Sequence, residues 1–234
     1  MNNKKHATKI FFDMEFTGLH QKTTLISIGM VSLCGKRFYA EFTDYDKSQV
    51  DDWVRENVIS RLKFEKYINT EKGKKELKEM NSEKPKFWPW VYGDDNYYDW
   101  VGCMGTWWEC NGPTEIIKKK LTVFLSQFTD DHTPFDSIEM WGDCLSYDWV
   151  LFNNIWGTAF DIPKNIYYIP FDICTLFKAK GIDPDISRES FSGIKYQASR
   201  PRHNALFDAQ MIMDCYLNLN PPTVEKNKRR VPLD

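Results

Sequence analysis

The stretch that decides the fold spans residues 8–43 and reads TKIFFDMEFTGLHQKTTLISIGMVSLCGKRFYAEFT. Three apolar runs within it, over residues 8–16, 24–32 and 36–43, have the length and the β-branched and aromatic content of strands. Cys34-Gly35 separates the last two runs and is typical of the turn of a hairpin. The chain is therefore predicted to open with a meander of three strands.

Strands and helices alternate after this meander. Apolar periodicity predicts strands over 137–142 and 166–170, and helices over 48–61, 114–127, 145–156, 172–180 and 204–218. This order fits an α/β fold with a mixed β-sheet flanked by helices. With 234 residues and 42% hydrophobic content, residues 1–220 are expected to form a single domain that contains an insertion over 64–112. Residues 221–234 are expected to be a basic, flexible tail.

Two acidic residues lie close together in the first predicted strand. Asp13 and Glu15 are two positions apart, so a strand directs both side chains to one face. Two carboxylates at such a distance repel each other unless a divalent cation or a shared proton lies between them. Hard cations such as Mg²⁺ and Mn²⁺ prefer oxygen ligands, so the pair is a candidate metal site. Solvated acids at a strand end are the alternative interpretation.

Further candidate residues lie in the second half of the chain. Asp148 falls early in the helix predicted over 145–156, and Asp208 falls in the last helix. His203 precedes Asp208 by five positions, more than one helical turn, which places it in the loop before that helix. From the loop His203 can lean over a metal site that Asp208 binds; a mere helix cap is the alternative.

The order of these motifs, Asp13-x-Glu15, then Tyr147-Asp148, then His203-x4-Asp208, resembles the DEDDh 3′-5′ exonucleases of the ribonuclease H-like superfamily. The first motif also resembles that of oligoribonucleases. Residues 8–62 and 137–217 are similar to the bacterial ribonuclease AS-like exoribonuclease family. The resemblance implies a ribonuclease H-like fold and two divalent cations, Mg²⁺ or Mn²⁺, bound by the four acids. It also implies that His203 is the general base of a two-metal hydrolysis.

One residue departs from the family pattern. Asp143 stands where the family usually has Asn, five residues before the metal-binding Asp148. An acid at this position is a second candidate, which either perturbs the nearby carboxylates or adds an outer-sphere metal contact. Asp172 is expected to be the N-cap of the helix over 172–180 and is not assigned to the site.

The resemblance also implies how substrate is held. In similar exonucleases the residues after the first acidic pair contact the terminal nucleotide, and Leu19 is the candidate wedge between bases. A plain strand-to-turn transition at Gly18 is the alternative. The expected substrate is the 3′ end of single-stranded RNA, adenylate-rich or short, which is cut to nucleoside 5′-monophosphates. The predicted substrate-binding residues are Phe16, Thr17, Gly18, Leu19, Tyr147 and Arg202. A 3′-5′ DNA exonuclease and a non-catalytic nucleic-acid-binding protein are the alternative functions.

Composition limits the class of protein. A net charge of -2 disfavours binding of long duplex through phosphate contacts alone, since that mode needs a basic surface. Six cysteines without a CxxC pair favour reduced thiols over a disulfide framework or a zinc site. No apolar run is long enough to cross a membrane, and the first residues do not resemble a secretory leader. Cytoplasmic localisation is therefore expected.

Aromatic residues are concentrated within the predicted insertion. The segment 87–108 holds nine of them, including Trp88, Trp90, Trp100, Trp107 and Trp108. Aromatic faces can stack on single-stranded bases. A satellite core or the contact of a homodimer explains the cluster as well, and all three interpretations stay open on sequence alone.

Overall fold

The computed structural model describes residues 7–64, 107–128, 138–196 and 201–221. Its strands are β1 (Thr8–Phe16), β2 (Leu25–Ser32), β3 (Arg37–Phe42), β4 (Trp107–Gly112), β5 (Ile138–Gly142) and β6 (Phe171–Asp172). Its α-helices are α1 (Asp52–Asn57), α2 (Thr114–Ser126), α3 (Asp148–Asn154), α4 (Ile173–Ala179), α5 (Arg188–Ser192) and α6 (Ala205–Leu219). Lys47–Gln49 and Ile59–Arg61 form short 3-10 helices.

The strands form one mixed sheet in the order β4-β3-β2-β1-β5-β6. The pairs β1-β2 and β2-β3 are antiparallel, as the predicted meander requires, whereas β5 and β6 continue the sheet in parallel from β1. β4 lies parallel to β3 at the opposite edge. The predicted α/β sheet flanked by helices is confirmed, and it is consistent with a ribonuclease H-like fold.

Side chains alternate between the two faces of β1, and each face packs against a different cluster of buried residues. Ile10, Phe12 and Met14 point to the face that α2 and α3 cover, and all three are buried. Phe11 points to the other face, where it packs with residues of α4 and α6. Because side chains alternate along a strand, Asp13 and Glu15 continue the Phe11 face and lie toward α6.

Gly29 allows α6 to approach the sheet. Gly29 is paired with Asp13 across β1 and β2, and the backbone at Ala205 and Leu206 passes directly over it. A Cβ atom at position 29 would lie 2.2 Å from the Ala205 carbonyl carbon and the Leu206 nitrogen. Only a residue without a side chain fits this contact. The contact brings the first turn of α6 over the strand that carries Asp13.

The Gly29→Ala variant is expected to be destabilised by about 1–3 kcal/mol or more, because the added methyl group must push α6 away from the sheet. Urea unfolding measures this loss. Gly35→Ala is the matched control, since Gly35 has open space around it and only its positive φ of 88° opposes a side chain. Wild-type stability of Gly29→Ala would contradict the close approach of α6.

Two local features differ from the sequence-based expectations, and a third agrees with them. The helix expected over 48–61 is divided into two 3-10 segments and α1, because Asp46 and Asp51 each accept a backbone N–H and start a new segment. The strand expected over 166–170 is reduced to a bridge between Ile138 and Ile166, and β6 follows it. Asp172 is the N-cap of α4, as predicted, and accepts from the N–H groups of Cys174 and Thr175.

The end of the predicted insertion belongs to the main sheet. Residues 107–112 form β4, in which Trp108 packs edge-on against Phe124 of α2. Trp107 is 53% exposed, and Arg37 and Lys63 lie over its ring. The aromatic residues between 87 and 106, including Trp88 and Trp90, lie outside the described residues, as does the tail from residue 222. Among the helices of the described ranges, none combines the length and apolar content of a membrane span.

Candidate active site

Three carboxylates from distant parts of the chain converge at the carboxyl end of β1. Asp13 and Glu15 lie on the face that α6 covers, and Asp208 lies in the first turn of α6. One carboxylate oxygen from each of the three residues lies within 4.8 Å of the others. The structure therefore joins the acidic pair of the first strand with the acid of the last helix.

Asp148 also contacts β1, but from α3, which packs on the face of the sheet opposite to α6. β5 pairs with β1 only as far as Phe11 opposite Trp141. Beyond this point the Met14 N–H donates to Asp148 Oδ1 at 3.0 Å, in a buried bond. Asp148 is the first residue of α3 and is 9% exposed. Asp148, predicted early in a helix, therefore binds the backbone of Met14, the residue between Asp13 and Glu15 in the sequence. Its carboxylate does not belong to the group of three that lie within 4.8 Å of one another.

The Asp208 carboxylate is held by three donors. The Tyr196 hydroxyl donates to Oδ1, and the backbone N–H groups of His203 and Asn204 also donate to this carboxylate. Asn204 is the N-cap position of α6, but its own side chain makes no capping bond. The donors orient Asp208 toward the acids of β1.

Burial raises the pKa of every acid in this cluster. For Asp13 and Glu15 desolvation raises the pKa well above its ordinary value, and the charges of Asp208 and Asp148 raise it further. Desolvation raises the pKa of Asp148 to about 7 and that of Asp208 to about 6, against the lowering effect of their hydrogen bonds. Asp148 is buried and the other three carboxyl groups are partly buried. Four such groups with raised pKa values need either protons or cations, and an all-oxygen donor set fits hard divalent cations.

This electrostatic arrangement predicts how stability depends on pH. Each acid has a folded-state pKa above its unfolded value, so the folded state binds more protons between the two values. Stability from these groups is present at low pH and is lost as pH rises from about 4 through about 7. Mg²⁺ or Mn²⁺ is expected to raise the melting temperature, by more at pH 8 than at pH 5, because cations bind the deprotonated ligands.

Thermal unfolding in EDTA and in each divalent cation, from pH 5 to 8, measures this effect. Sodium chloride at matched ionic strength is the control for general screening. An equal shift at pH 5 and pH 8 would contradict binding at the carboxylates.

His203 lies in the loop before α6, where the sequence places it. Its φ of 58° is in the left-handed region, which histidine adopts more readily than most residues. The Trp53 ring meets the imidazole edge-to-face, with 5.1 Å between ring centroids. Burial lowers the pKa of His203 below its ordinary value, and the positive charges of Arg202 and Arg61 lower it further. The imidazole is therefore neutral near pH 7 and able to accept a proton.

Asp143 takes part in an ion pair beside the acidic cluster. Arg188 donates from Nε to Oδ2 at 2.7 Å and from Nη2 to Oδ1 at 2.9 Å. The Asp143 charge still contributes to raising the pKa of Asp13 and Asp148. Of the two roles considered for Asp143, perturbation of nearby carboxylates has support in this charge effect.

The predicted substrate-binding residues fall into three groups. Phe16 and Tyr147 stack on each other with 5.6 Å between centroids, beside the acids. The Thr17 and Gly18 N–H groups donate to Thr24 and Thr23 within the turn, and the buried Thr17 hydroxyl donates to Gln49. Leu19 is 77% exposed at the tip of this turn.

Arg202 is the remaining predicted contact. Its side chain is 60% exposed and forms an ion pair with Glu189, while its guanidinium lies over the Tyr196 ring. Any phosphate contact of Arg202 must therefore compete with Glu189.

Sequence patterns did not identify two residues that touch the candidate site. Trp53 belongs to no acidic motif, and its contact with His203 joins residues 150 positions apart. Tyr196 lies 12 positions before Asp208, outside any motif, so no sequence signal identifies its bond to that carboxylate.

The fold and site define an α/β domain with a partly buried acidic cluster that is a candidate site for divalent cations. The chain belongs to the family described as 3'-5' exoribonuclease Rv2179c-like domain, whose model matches residues 8–218. It is 27% identical over 106 residues to two Mycobacterium tuberculosis proteins, 3'-5' exoribonuclease Rv2179c of strain ATCC 25618 / H37Rv and 3'-5' exoribonuclease MT2234.1 of strain CDC 1551 / Oshkosh. The aligned stretch covers 42% of this chain and 61% of the length of each relative.

Proposed function

We propose that this protein is a metal-dependent 3′-5′ exoribonuclease of the DEDDh type, which hydrolyses single-stranded RNA from its 3′ end. The observation that carries the proposal is the convergence of Asp13, Glu15 and Asp208, whose oxygens lie within 4.8 Å of one another. Asp148, at the start of α3, adds a fourth carboxylate that accepts from the Met14 N–H of β1. Membership of an exoribonuclease family supports a role of this cluster in the hydrolysis of RNA.

The four carboxylates are the proposed ligands of two divalent cations, Mg²⁺ or Mn²⁺. When bound, such cations supply Lewis-acid activation of water and neutralise charge that develops on the phosphate. The protein supplies a rigid, buried donor set: Asp13 and Glu15 are fixed by the sheet, and Asp208 by its bonds to Tyr196 and the backbone. Preorganised ligands of this kind lose little conformational entropy on binding.

His203 is the proposed general base. Its lowered pKa keeps the imidazole neutral at physiological pH, so it can accept a proton from the attacking water. Trp53 restrains the ring from one side, and the left-handed backbone directs the residue out of the loop. His203 adjoins the cluster through its own N–H, which donates to Asp208.

The proposed substrate path lies over the turn after β1. Leu19 offers an exposed apolar side chain four positions after Glu15, and the stacked Phe16–Tyr147 pair lies beside the acids. An apolar side chain inserted between terminal bases replaces part of their stacking energy. The adenylate-rich or short RNA considered from the sequence is the substrate class to test first.

Leu19→Ala is expected to raise the Michaelis constant for short RNA roughly tenfold, since loss of a base contact costs about 1–3 kcal/mol. The turnover number should change little, because Leu19 does not touch the carboxylates. Steady-state kinetics on RNA of a few nucleotides measures both constants. Leu33→Ala is the matched control, because Leu33 is also an exposed leucine in a turn. An unchanged Michaelis constant would remove the wedge from the proposal.

The function itself is tested by digestion of 3′- and 5′-labelled single-stranded RNA and DNA of equal sequence, in Mg²⁺, Mn²⁺ or EDTA. Release of mononucleotides from the 3′ end of RNA, dependent on the cation, supports the proposal. Equal attack on DNA would assign a general 3′-5′ exonuclease. Binding without cleavage in any cation would assign a non-catalytic nucleic-acid-binding protein.

A further inference from the structure

Two cysteines that lie 30 positions apart in the chain meet at the end of β5. The Cys144 and Cys174 Sγ atoms are 3.6 Å apart. Cys144 is exposed, whereas Cys174 is partly buried in the first turn of α4. We propose that Cys144 and Cys174 form a redox-active dithiol, a modification site that closes to a disulfide on reaction with a low-molecular-weight disulfide.

The backbone around the pair is already held in place in the reduced protein. The Cys144 N–H donates to Asp172 Oδ1 at 3.1 Å, and Asp172 is also the N-cap of α4. One carboxylate thus links the loop after β5 to the helix that carries Cys174. A disulfide bond is about 2.05 Å long, so the two sulfur atoms need to approach by only about 1.5 Å.

Asp143 and Arg188 both contact the Cys174 thiol. The Cys174 S–H donates to Asp143 Oδ1 at 2.9 Å, so a proton acceptor lies in contact with this thiol. Arg188 Nη2 lies 3.1 Å from Cys174 Sγ. Burial and the hydrogen bond and charge of Asp143 raise the pKa of the Cys174 thiol well above its ordinary value, so Cys174 reacts only as its proton passes directly to Asp143. The exposed Cys144 is the thiol that an external disulfide reaches first.

The reaction balances without any other reactant. The Cys144 thiolate attacks one sulfur of the external disulfide, forms a mixed disulfide and releases one small thiolate. Cys174 passes its proton to Asp143 and attacks Cys144 Sγ. The second small thiolate leaves and takes a proton, which Asp143 can return. Two protein thiols are oxidised to one disulfide, and the external disulfide is reduced to two thiols.

One possible ligand atom each of Asp143, Cys144 and Cys174 also lies within 4.8 Å of the other two, as in a three-ligand metal site. The geometry favours the dithiol, because Arg188 binds both oxygens of Asp143 and also donates to Cys174 Sγ. A cation at this point would face a guanidinium group and would have to displace its bonds. The salt bridge therefore opposes a metal at this point.

The remaining described cysteines provide internal comparisons. Cys110 and Cys215 are buried, and desolvation raises the pKa of each to about 12. Among the described cysteines neither has an exposed partner thiol like Cys144, and burial keeps an external disulfide away from both. Cys34 is exposed like Cys144, but the polar group near its sulfur is the Ser32 hydroxyl at 3.1 Å. Cys34 is therefore the matched exposed control.

The test is incubation of the full chain with oxidised glutathione, followed by alkylation, peptide mapping and mass spectrometry. We expect the peptides that contain Cys144 and Cys174 to become cross-linked, with the loss of two hydrogens, and dithiothreitol to restore both thiols. Cys174→Ser should stop at a glutathione adduct on Cys144, and Cys144→Ser should leave Cys174 free. Cys34→Ser should form the cross-link as the wild type does.

Three results would overturn the proposal. The first is a glutathione adduct on Cys144 of the wild-type protein that never proceeds to the cross-link. The second is modification of Cys34 while Cys144 and Cys174 both remain open to alkylation. The third is stoichiometric Zn²⁺ that protects both thiols and is lost in Cys144→Ser, which would assign a metal site instead.

Discussion

Asp13→Asn is expected to lower exoribonuclease activity about a thousandfold or more, because it removes a ligand and a negative charge from the centre of the proposed metal site. The same change is expected to stabilise the protein in EDTA, with a melting temperature higher by about 2–4 °C. The physical reason is that Asp13 is desolvated and faces the charges of Asp208, Asp148 and Glu15. A carboxamide has the same shape, carries no charge and donates to neighbouring carboxylates.

Opposite changes in activity and stability distinguish a functional acid from a structural one. The measurements are RNA hydrolysis in Mg²⁺ or Mn²⁺ and thermal unfolding in EDTA. Asp185→Asn is the matched control, since Asp185 is an exposed aspartate outside the acidic cluster. If Asp13→Asn lost activity and stability together, the simpler explanation would be damage to the fold, and the assignment of Asp13 as a ligand would fail.

His203→Asn is expected to lower the turnover number by about 10²–10⁴-fold, the usual contribution of a general base. Asparagine tolerates the left-handed backbone at this position, so the loop should keep its conformation. The rise of melting temperature on addition of Mg²⁺ or Mn²⁺ should be retained, because the four carboxylates are unchanged. His203→Ala should lose turnover to the same extent and lose slightly more stability.

The pH profile of wild-type activity provides a second test of His203. A base must be neutral to act, so activity is expected to fall as pH falls through the pKa of the imidazole. Burial lowers that pKa, which places the acid limb of the profile below about pH 6.5. Turnover of His203→Asn close to the wild-type value would remove the assignment of the base.

Local features of the chain were predictable because they depend on neighbouring residues. The alternation in β1 places Asp13 and Glu15 on one face, and β1, β2 and β3 lie where their apolar runs predict. Asp172 caps α4 because a short acidic side chain before a helix accepts its free N–H groups. The helix expected over 48–61 is divided because Asp51 caps a new helix within that run, whereas the turn that Asp46 caps ends at Gln49.

The candidate acids were identified by their order in the chain, but the order does not bring them together. The close approach of α6 at Gly29 places Asp208 over Asp13. The pairing of β1 with β5 ends before Met14, and the Met14 N–H donates to Asp148 instead. Both contacts join residues more than a hundred positions apart. Local periodicity carries no information about such distances.

The sequence by itself determined the α/β order of elements, the same-face pair Asp13 and Glu15, and the early helical position of Asp148, because each depends on the 2-residue or 3.6-residue repeat of a local element. Only the tertiary structure decided that Tyr196 holds Asp208, that Trp53 packs on His203, and that Cys144 meets Cys174. These contacts arise from the packing of α4, α6 and the loops against one sheet. Packing depends on the shape of surfaces that are assembled from distant segments, which no local pattern records.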